Sequence, residues 1–445
     1  KLFCFARIQK YIFFYFCNMK NKKAISLLFL SNIISGFAQG ISMIAIPWYF
    51  VEIVERPEVF ATAYIIITFA TLFWGLYAGT LIDRYSRKTL FILINLVCGL
   101  IVGGVAVAGF FTSNTNDLLV ILVFATTIFN YNVHYPNLYA FGQEITEKRN
   151  YGKLNSYIEI QGQSTSILAG AFAALLLTGT INKTMNLGGF IITFPFEIQP
   201  WGIHEIFLMD AITYMIVILI FMQIKYSRIV TDKVEIGTLF SRLKNGLLYL
   251  KKNPLIFRFG LTSYMLFAFL LVEIHILLPT YVHDFLQGKG DIYASAEVYY
   301  SLGAILAGLF VIMVFKRFNS IIGIIILMFF VAIAFAGMSF CKSLWYFFIA
   351  NLILGLTNAG VRVLRTTYLF NHIPNSVIGR TNSVFNSLNI MVRMCLIGLF
   401  ALPFFTTDDN IRFGYLVGTA MIILAIIPLL LQYRSLVNLG KPEED

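Results

Sequence analysis

Charge is scarce in this sequence: only 12% of the 445 residues are Asp, Glu, Lys or Arg, against about 25% in an average soluble domain. Several soluble domains cannot cover their surfaces with so few charges, and the apolar residues, 58% of the chain, fall in blocks of twenty or more. Such blocks are long enough to cross a bilayer as helices. Cysteine is also thin: Cys4, Cys17, Cys98, Cys341 and Cys395 lie far apart without a CxxC pair or a nearby histidine set, which argues against a disulfide frame or a thiolate metal site. They read as apolar fillers. There is no P-loop, no HExxH and no G-x-S-x-G elbow, so neither an enzyme activity nor a cofactor is expected, and ATP-driven work would need a separate protein. The net charge of +11 is spread between the hydrophobic blocks rather than gathered in a stripe. That pattern excludes nucleic acid as the expected partner and points to a lipid bilayer.

Residues 1–18 precede Met19-Lys-Asn-Lys-Lys, which has the look of a bacterial start, and they read as a non-native or disordered extension; a surface-lying amphipathic helix around Arg7 and Lys10 is the alternative. Residues 20–38 mimic a signal peptide, but the apolar run continues through Val51 and reads as a first span. Twelve spans are predicted, at 24–51, 59–82, 89–111, 118–142, 153–178, 204–224, 256–283, 294–315, 320–340, 344–370, 379–405 and 411–433. Of the 33 lysines and arginines, 22 fall on the side of the termini; the opposite loops hold only Arg56, Lys183, Lys289, Lys342 and Arg412. Both termini are therefore expected in the cytoplasm. The expected organisation is a six-helix bundle over 19–224, a cytoplasmic amphipathic linker over 225–255, a second bundle over 256–433 and a tail over 434–445. The longest opposite-side loop, 179–203, reads as a short β-hairpin around Pro195.

The two halves repeat. Pro47-Trp-Tyr49 parallels Pro279-Thr-Tyr281, Gly75-Leu76 through Arg84-Tyr85 parallels Gly308-Leu309 through Arg317-Phe318, and Gly152-Lys153-Leu-Asn155-Ser156 parallels Gly379-Arg380-Thr-Asn382-Ser383. Transporters are often built from such repeats around a central site. The segment Gly79-Thr-Leu-Ile-Asp83-Arg84-Tyr-Ser-Arg87-Lys88 resembles the G-x-L-x-D-R-x-G-R-[KR] signature of the major facilitator superfamily, over essentially residues 24–433. Ala-Ile-Pro-Trp48, Phe-Leu-Met-Asp210-Ala and Gly379-Arg-Thr-Asn-Ser383 further resemble its bacterial branch of macrolide, siderophore and drug exporters. This resemblance implies an all-α integral membrane fold of two pseudo-symmetric six-helix bundles, a bacterial inner-membrane location and alternating access. Spans 1, 4, 7 and 10 would line the cavity and spans 3, 6, 9 and 12 would lie outside it. Three departures stand out: Ser86 where glycine is usual, Lys316 in place of the acid in the second copy, and Ser166-Ile-Leu-Ala-Gly170 where proton-coupled antiporters carry a proline-glycine motif.

The signature region predicts a gate made of Gly75, Gly79, Asp83, Arg84, Arg87, Lys88, Gly379 and Arg380. Glycines four apart allow close helix approach, Asp83 suits the amino end of span 11, and Arg84, Arg87 and Lys88 suit carboxylates or lipid phosphates. Ionisable groups within spans face a cavity or a partner because lipid is costly for them. The candidate cavity and coupling residues are Asn130, His134, Glu159, Glu273, His275, Asn358, Arg362, Asn389 and Arg393. Glu273 is the one expected to point into the cavity, since its repeat partner is apolar Ile41; an ion pair to Arg362 or Arg393 is the alternative. Arg362 and Arg365 read as snorkelling or gate residues, and Asp210 as a helix-start residue. Pro47 and Pro279 each remove a helix donor and are expected to bend spans 1 and 7 at matched levels.

The leading expectation is a monomeric secondary transporter exporting an amphiphilic small molecule, with protons or another ion as the coupling species. Two readings stand beside it: a divalent-metal exporter using Glu273 and His275, although no standard metal site is spelled out, and a non-transporting sensor or structural protein on the same fold.

Overall fold

The computed structural model describes residues 21–112, 116–147, 150–226, 239–315 and 319–440. Among them twelve helices are long and apolar enough to cross a membrane: Lys22–Ile53, Pro57–Gly75, Arg87–Phe111, Asp117–Glu144, Leu154–Thr178, Ile203–Gln223, Pro254–Phe285, Gly290–Val311, Ser320–Phe340, Leu344–His372, Val377–Phe400 and Asp408–Leu431. Numbered spans 1 to 12, they fall on the predicted apolar runs, because a segment in lipid must satisfy its backbone internally and a helix does so. The signal-like segment runs unbroken into Trp48. The extension 1–18, residues 227–238 of the linker, and 441–445 of the tail lie outside the described residues. The rest of the linker contains a helix, Leu239–Lys252. Span ends on the side of the linker are called proximal here, and the opposite ends distal.

Polar residues start the spans. Ser86, the departure from the signature, adopts an extended conformation and its hydroxyl accepts from the Thr89 N–H at 3.1 Å, so serine caps span 3 where glycine would leave that donor unmet. Asn116 and Asn319 cap spans 4 and 9 in the same way, each at 2.9 Å. The carboxylate of Glu205 accepts from the Gly202 N–H at 2.7 Å at the start of span 6.

Pro47 and Pro279 are each followed by a π-helical turn. Span 1 passes into a π-helical turn at Tyr49–Ile53 and span 7 into one at Tyr281–Phe285, separated by the same 232 residues as the prolines. Span 7, unlike span 1, has a second π-helical turn, Glu273–Leu277, just before Pro279. The ring of Pro279 crowds the carbonyl four residues back, and widening the turn is one way to relieve it.

The chain forms two compact units. The first takes the described residues up to Ile46, Phe73–Phe172, and those from Pro200 to the linker; the second takes Pro47–Leu72, Ala173–Gln199 and the described residues from Leu239 onward. In the first, Phe91 stacks on Phe221 at 4.5 Å within a core that includes Leu28, Phe141, Ile158 and Val217. Span 3 meets span 6 where Gly99 faces Tyr214 and Met215. In the second, spans 8 and 10 touch backbone to backbone: a Cβ on Gly303 would lie 1.9 Å from the Leu352 carbonyl oxygen, and one on Gly355 would lie 1.8 Å from that of Tyr300. The distal ends of spans 1, 2 and 5 belong to this unit, with Trp48 stacked on Tyr293 at 5.3 Å and the Tyr64 hydroxyl donating to the Leu271 carbonyl at 3.0 Å.

The loop after span 5 does contain a hairpin, β1 (Thr184–Leu187) paired antiparallel with β2 (Phe190–Thr193). Its turn is at Gly188-Gly189 rather than around Pro195: the two glycines supply φ of +58° and +88°, as a two-residue hairpin turn needs. Tyr299 of span 8 donates to the Gly188 carbonyl at 2.7 Å and Trp345 of span 10 packs on Gly189.

Candidate functional site

The signature region is built around two basic residues at the proximal start of span 3. Arg87 Nε lies 3.0 Å from Glu144 Oε1 at the end of span 4, and the guanidinium also donates to the Ile82 carbonyl near the end of the helix Pro57–Arg84 that contains span 2. The other oxygen of Glu144 accepts from the Tyr226 hydroxyl, and Asn137 Nδ2 donates to the Arg87 carbonyl at 3.0 Å. Among the described residues Lys88 meets carbonyls rather than a carboxylate: its ammonium donates to the Met222 and Ile224 carbonyls at 3.1 and 2.8 Å, satisfying the last turn of span 6. Together the pair ties spans 2, 3, 4 and 6 at one level. Gly75 departs from the expectation of close helix approach, since the nearest atom to a Cβ there is Asn132 Oδ1 at 3.8 Å, an ordinary contact. The surroundings of Gly79 and the side chains of Asp83 and Arg84 lie outside the described residues. A Cβ at Gly379 would meet open space and Arg380 is exposed; the Arg380 carbonyl packs on Gly246 of the linker helix.

A buried polar ladder crosses the first unit. His134 Nε2 pairs with Asn32 Oδ1 at 2.9 Å, Asn32 Nδ2 donates to Gln161 Oε1 at 2.8 Å, and Gln161 reaches Thr165 at 3.4 Å. Toward the distal side Gln39 donates to Ser35, Asn130 Nδ2 donates to Gln39 Oε1 at 3.3 Å, and the Ser42 hydroxyl donates to Asp210 Oδ2 at 3.0 Å. All these side chains are buried. His134 and Asn130 are thus held by span 1. Glu159 is different: it is exposed on span 5 and accepts from the Tyr139 hydroxyl at 2.6 Å.

In the second unit Glu273 does not behave as expected. It is 4% exposed and its Oε1 accepts from the Tyr415 hydroxyl at 2.9 Å, so it turns toward span 12, a helix assigned to the outside of the cavity. The π-helical turn that begins at Glu273 alters the facing direction that a regular helix would give it. His275 packs edge-to-face on Tyr64 of span 2 at 5.4 Å, and the Arg393 guanidinium stands against both. Asn389 is buried, with Nδ2 3.4 Å from the Tyr264 carbonyl. Arg365 does not snorkel: it is buried, donates to the Ser263 carbonyl at 2.9 Å and lies 3.6 Å over the Tyr264 ring. Arg362, by contrast, is exposed, beside a Tyr300 hydroxyl that accepts from Asn358 Nδ2 at 2.5 Å.

Three features escaped sequence reasoning. Asp210 is not a helix-start residue: span 6 begins at Ile203, and Asp210 lies seven residues inside it, fully buried. Glu297 of span 8, which accepts from Ser301 at 3.1 Å and stands near Glu273, is a further intramembrane acid. The stripe Asn32, Ser35, Gln39, Ser42 follows helical spacing and was legible as a polar face, but it carries no charge. Among the described residues no group of three or more His, Cys, Asp or Glu side chains is arranged to hold a metal ion.

Known proteins place this architecture. No curated protein sequence matches the chain. Among solved structures, the POT family transporter PepTSo superposes with a TM-score of 0.70 at 12% identity, covering 93% of this chain and 98% of that one. A bacterial homologue of the human lysosomal transporter Spinster gives 0.69 at 10% identity, covering 94% and 99%. A bacterial homologue of the iron transporter ferroportin gives 0.66 at 14%, covering 92% and 98%. At such identities the likeness is one of fold. The sequence pattern of the Major Facilitator Superfamily matches residues 28–394, and a match over that much of the chain, on twelve spans with a repeated proline and π-turn, makes this protein a member of the Major Facilitator Superfamily of membrane transporters.

Proposed function

We propose that this transporter is a secondary exporter of an amphiphilic small molecule carrying an anionic or zwitterionic group, working by alternating access in a bacterial inner membrane with both termini cytoplasmic. The observation that carries the substrate class is Arg362, a guanidinium exposed ten residues from the proximal end of span 10 and bordered by Tyr300 and Asn358. An exposed arginine at that depth faces water rather than lipid, because a charge in hydrocarbon is strongly disfavoured. Aromatic surface beside it offers apolar contact, and the cation fixes the orientation of an anionic head. The bundles 19–224 and 256–433, joined by the linker 225–255, are the bodies that would rock. The Arg87–Glu144 pair and the signature residues before it would form the proximal gate. The arrangement around Glu273 favours this reading over metal export, since its carboxylate is engaged by Tyr415 rather than turned toward His275.

The test is a thermal-shift screen of the purified monomeric protein against macrolides, lipophilic cations, catecholate siderophores, lysophospholipids and divalent metals. A ligand at about 100 times its dissociation constant stabilises a protein by about 2.7 kcal/mol when it binds only the folded state. The expected result is a shift confined to anionic or zwitterionic amphiphiles and lost on Arg362→Gln. A shift given by lipophilic cations or divalent metals alone would overturn the substrate class.

A further inference from the structure

The ladder of the first unit ends in a titratable group at each end, Asp210 toward the distal side and His134 toward the proximal side. Between them Ser42, Gln39, Asn130, Ser35 and Asn32 are neutral, and the two gaps in the chain of hydrogen bonds, Ser42 to Gln39 and Ser35 to Asn32, are i, i+3 neighbours on one face of span 1. Asn32 and Ser42 are ten residues apart, about 15 Å along a helix, or half of a hydrocarbon core roughly 30 Å thick.

Asp210 is the unusual member. It is 0% exposed, one oxygen is held by Ser42, and the other, Oδ1, has no hydrogen-bond partner among the described residues. The groups that face it are Ser42 on span 1, Cys98 on span 3 and Tyr214 one turn along span 6, with Asn130 of span 4 beside the Tyr214 hydroxyl. None of these is a cation. A buried carboxylate with no counter-charge is unfavourable at this depth, whereas the neutral acid is accommodated, and the unpartnered oxygen is the place for a proton.

We propose that Asp210 is the proton-binding site of this transporter. A proton adds to Oδ1 of the carboxylate to give the neutral acid and departs from the same atom, so the step needs no other reactant. The proposal rests on the transport reading and deepens it by naming the coupling ion, whatever the solute.

Infrared difference spectra of the full-length protein in lipid, recorded between low and high pH, report the carbonyl stretch of carboxyl groups that gain a proton. Asp210→Asn is expected to remove one component of that band, and Asp210→Glu to return a component at an altered frequency. Ser42→Ala, which deletes the donor to Oδ2 and leaves the acid, should move the component, while Glu273→Gln should leave it in place. A band unchanged by Asp210→Asn in folded protein overturns the site. Loss of the component on adding sodium at constant pH, with potassium as control, replaces the proton by a sodium ion. Should Asp210→Asn fail to fold, Asp210→Glu and Ser42→Ala decide the question by whether the component moves. A silent ligand screen would count against the proposed solute and leave this band untouched, so the two failures are separable.

Discussion

Glu273 shows how much hangs on a single partner. Its carboxyl is buried and accepts from Tyr415 at 2.9 Å, and a buried polar group stripped of its partner costs about 1–3 kcal/mol. Tyr415→Phe is therefore expected to lower thermal stability by that amount, and Glu273→Gln, whose amide oxygen still accepts from Tyr415, by less; melting curves of the two variants in detergent compare them directly. Equal losses would show that the hydrogen bond contributes little. The sequence makes Glu273 conspicuous because its repeat partner is apolar, yet nothing in it points to a tyrosine 142 residues away. Asp210 was misread for a related reason. Its place near the start of an apolar run looks like a cap, and only the rotation of span 6 onto Ser42 reveals a buried acid. Hydrogen-bond partners across spans depend on helix rotation, which hydropathy does not encode.

Elements were far more legible. The twelve spans, the repeat and the matched prolines all follow from apolar length and local chemistry, since a run of about twenty apolar residues in lipid has few alternatives to a helix. The π-helical turn at Glu273–Leu277 was not legible, because its repeat counterpart in span 1 is regular α-helix despite an equivalent proline. Glycine contacts were also misjudged: the signature draws attention to Gly75, but the close approach is between Gly303 and Gly355. Gly303→Ala is expected to destabilise by about 1–3 kcal/mol or more, because the added methyl meets backbone that cannot move aside. Gly75→Ala should be neutral or stabilise by up to about 1 kcal/mol, as alanine favours a helix over glycine. Parallel melting curves of these two variants test the assignment, and a reversed order would refute it. Ser86→Ala should cost about 1 kcal/mol through the lost cap and Ser86→Gly only a few tenths, a ranking measurable in the same assay.

For the whole molecule, charge asymmetry predicts an orientation. Cysteines substituted for Lys183 near the hairpin and for Val437 near the tail should differ in intact cells: a membrane-impermeant maleimide is expected to label the first and spare the second, and the opposite pattern would invert the proposed topology. The hairpin itself constrains how the protein is made. Its turn is held by Tyr299, 111 residues further along the chain, and by Trp345 beyond that. A ribosome has released the strands of this strap long before it reaches either anchor. Insertion of the first six spans thus leaves the hairpin turn without the side chains that hold it, so chains arrested before Tyr299 should be open to protease at Gly188-Gly189 and completed chains closed to it. A loop made early is thus fastened by spans made late, and the order of synthesis becomes part of the fold.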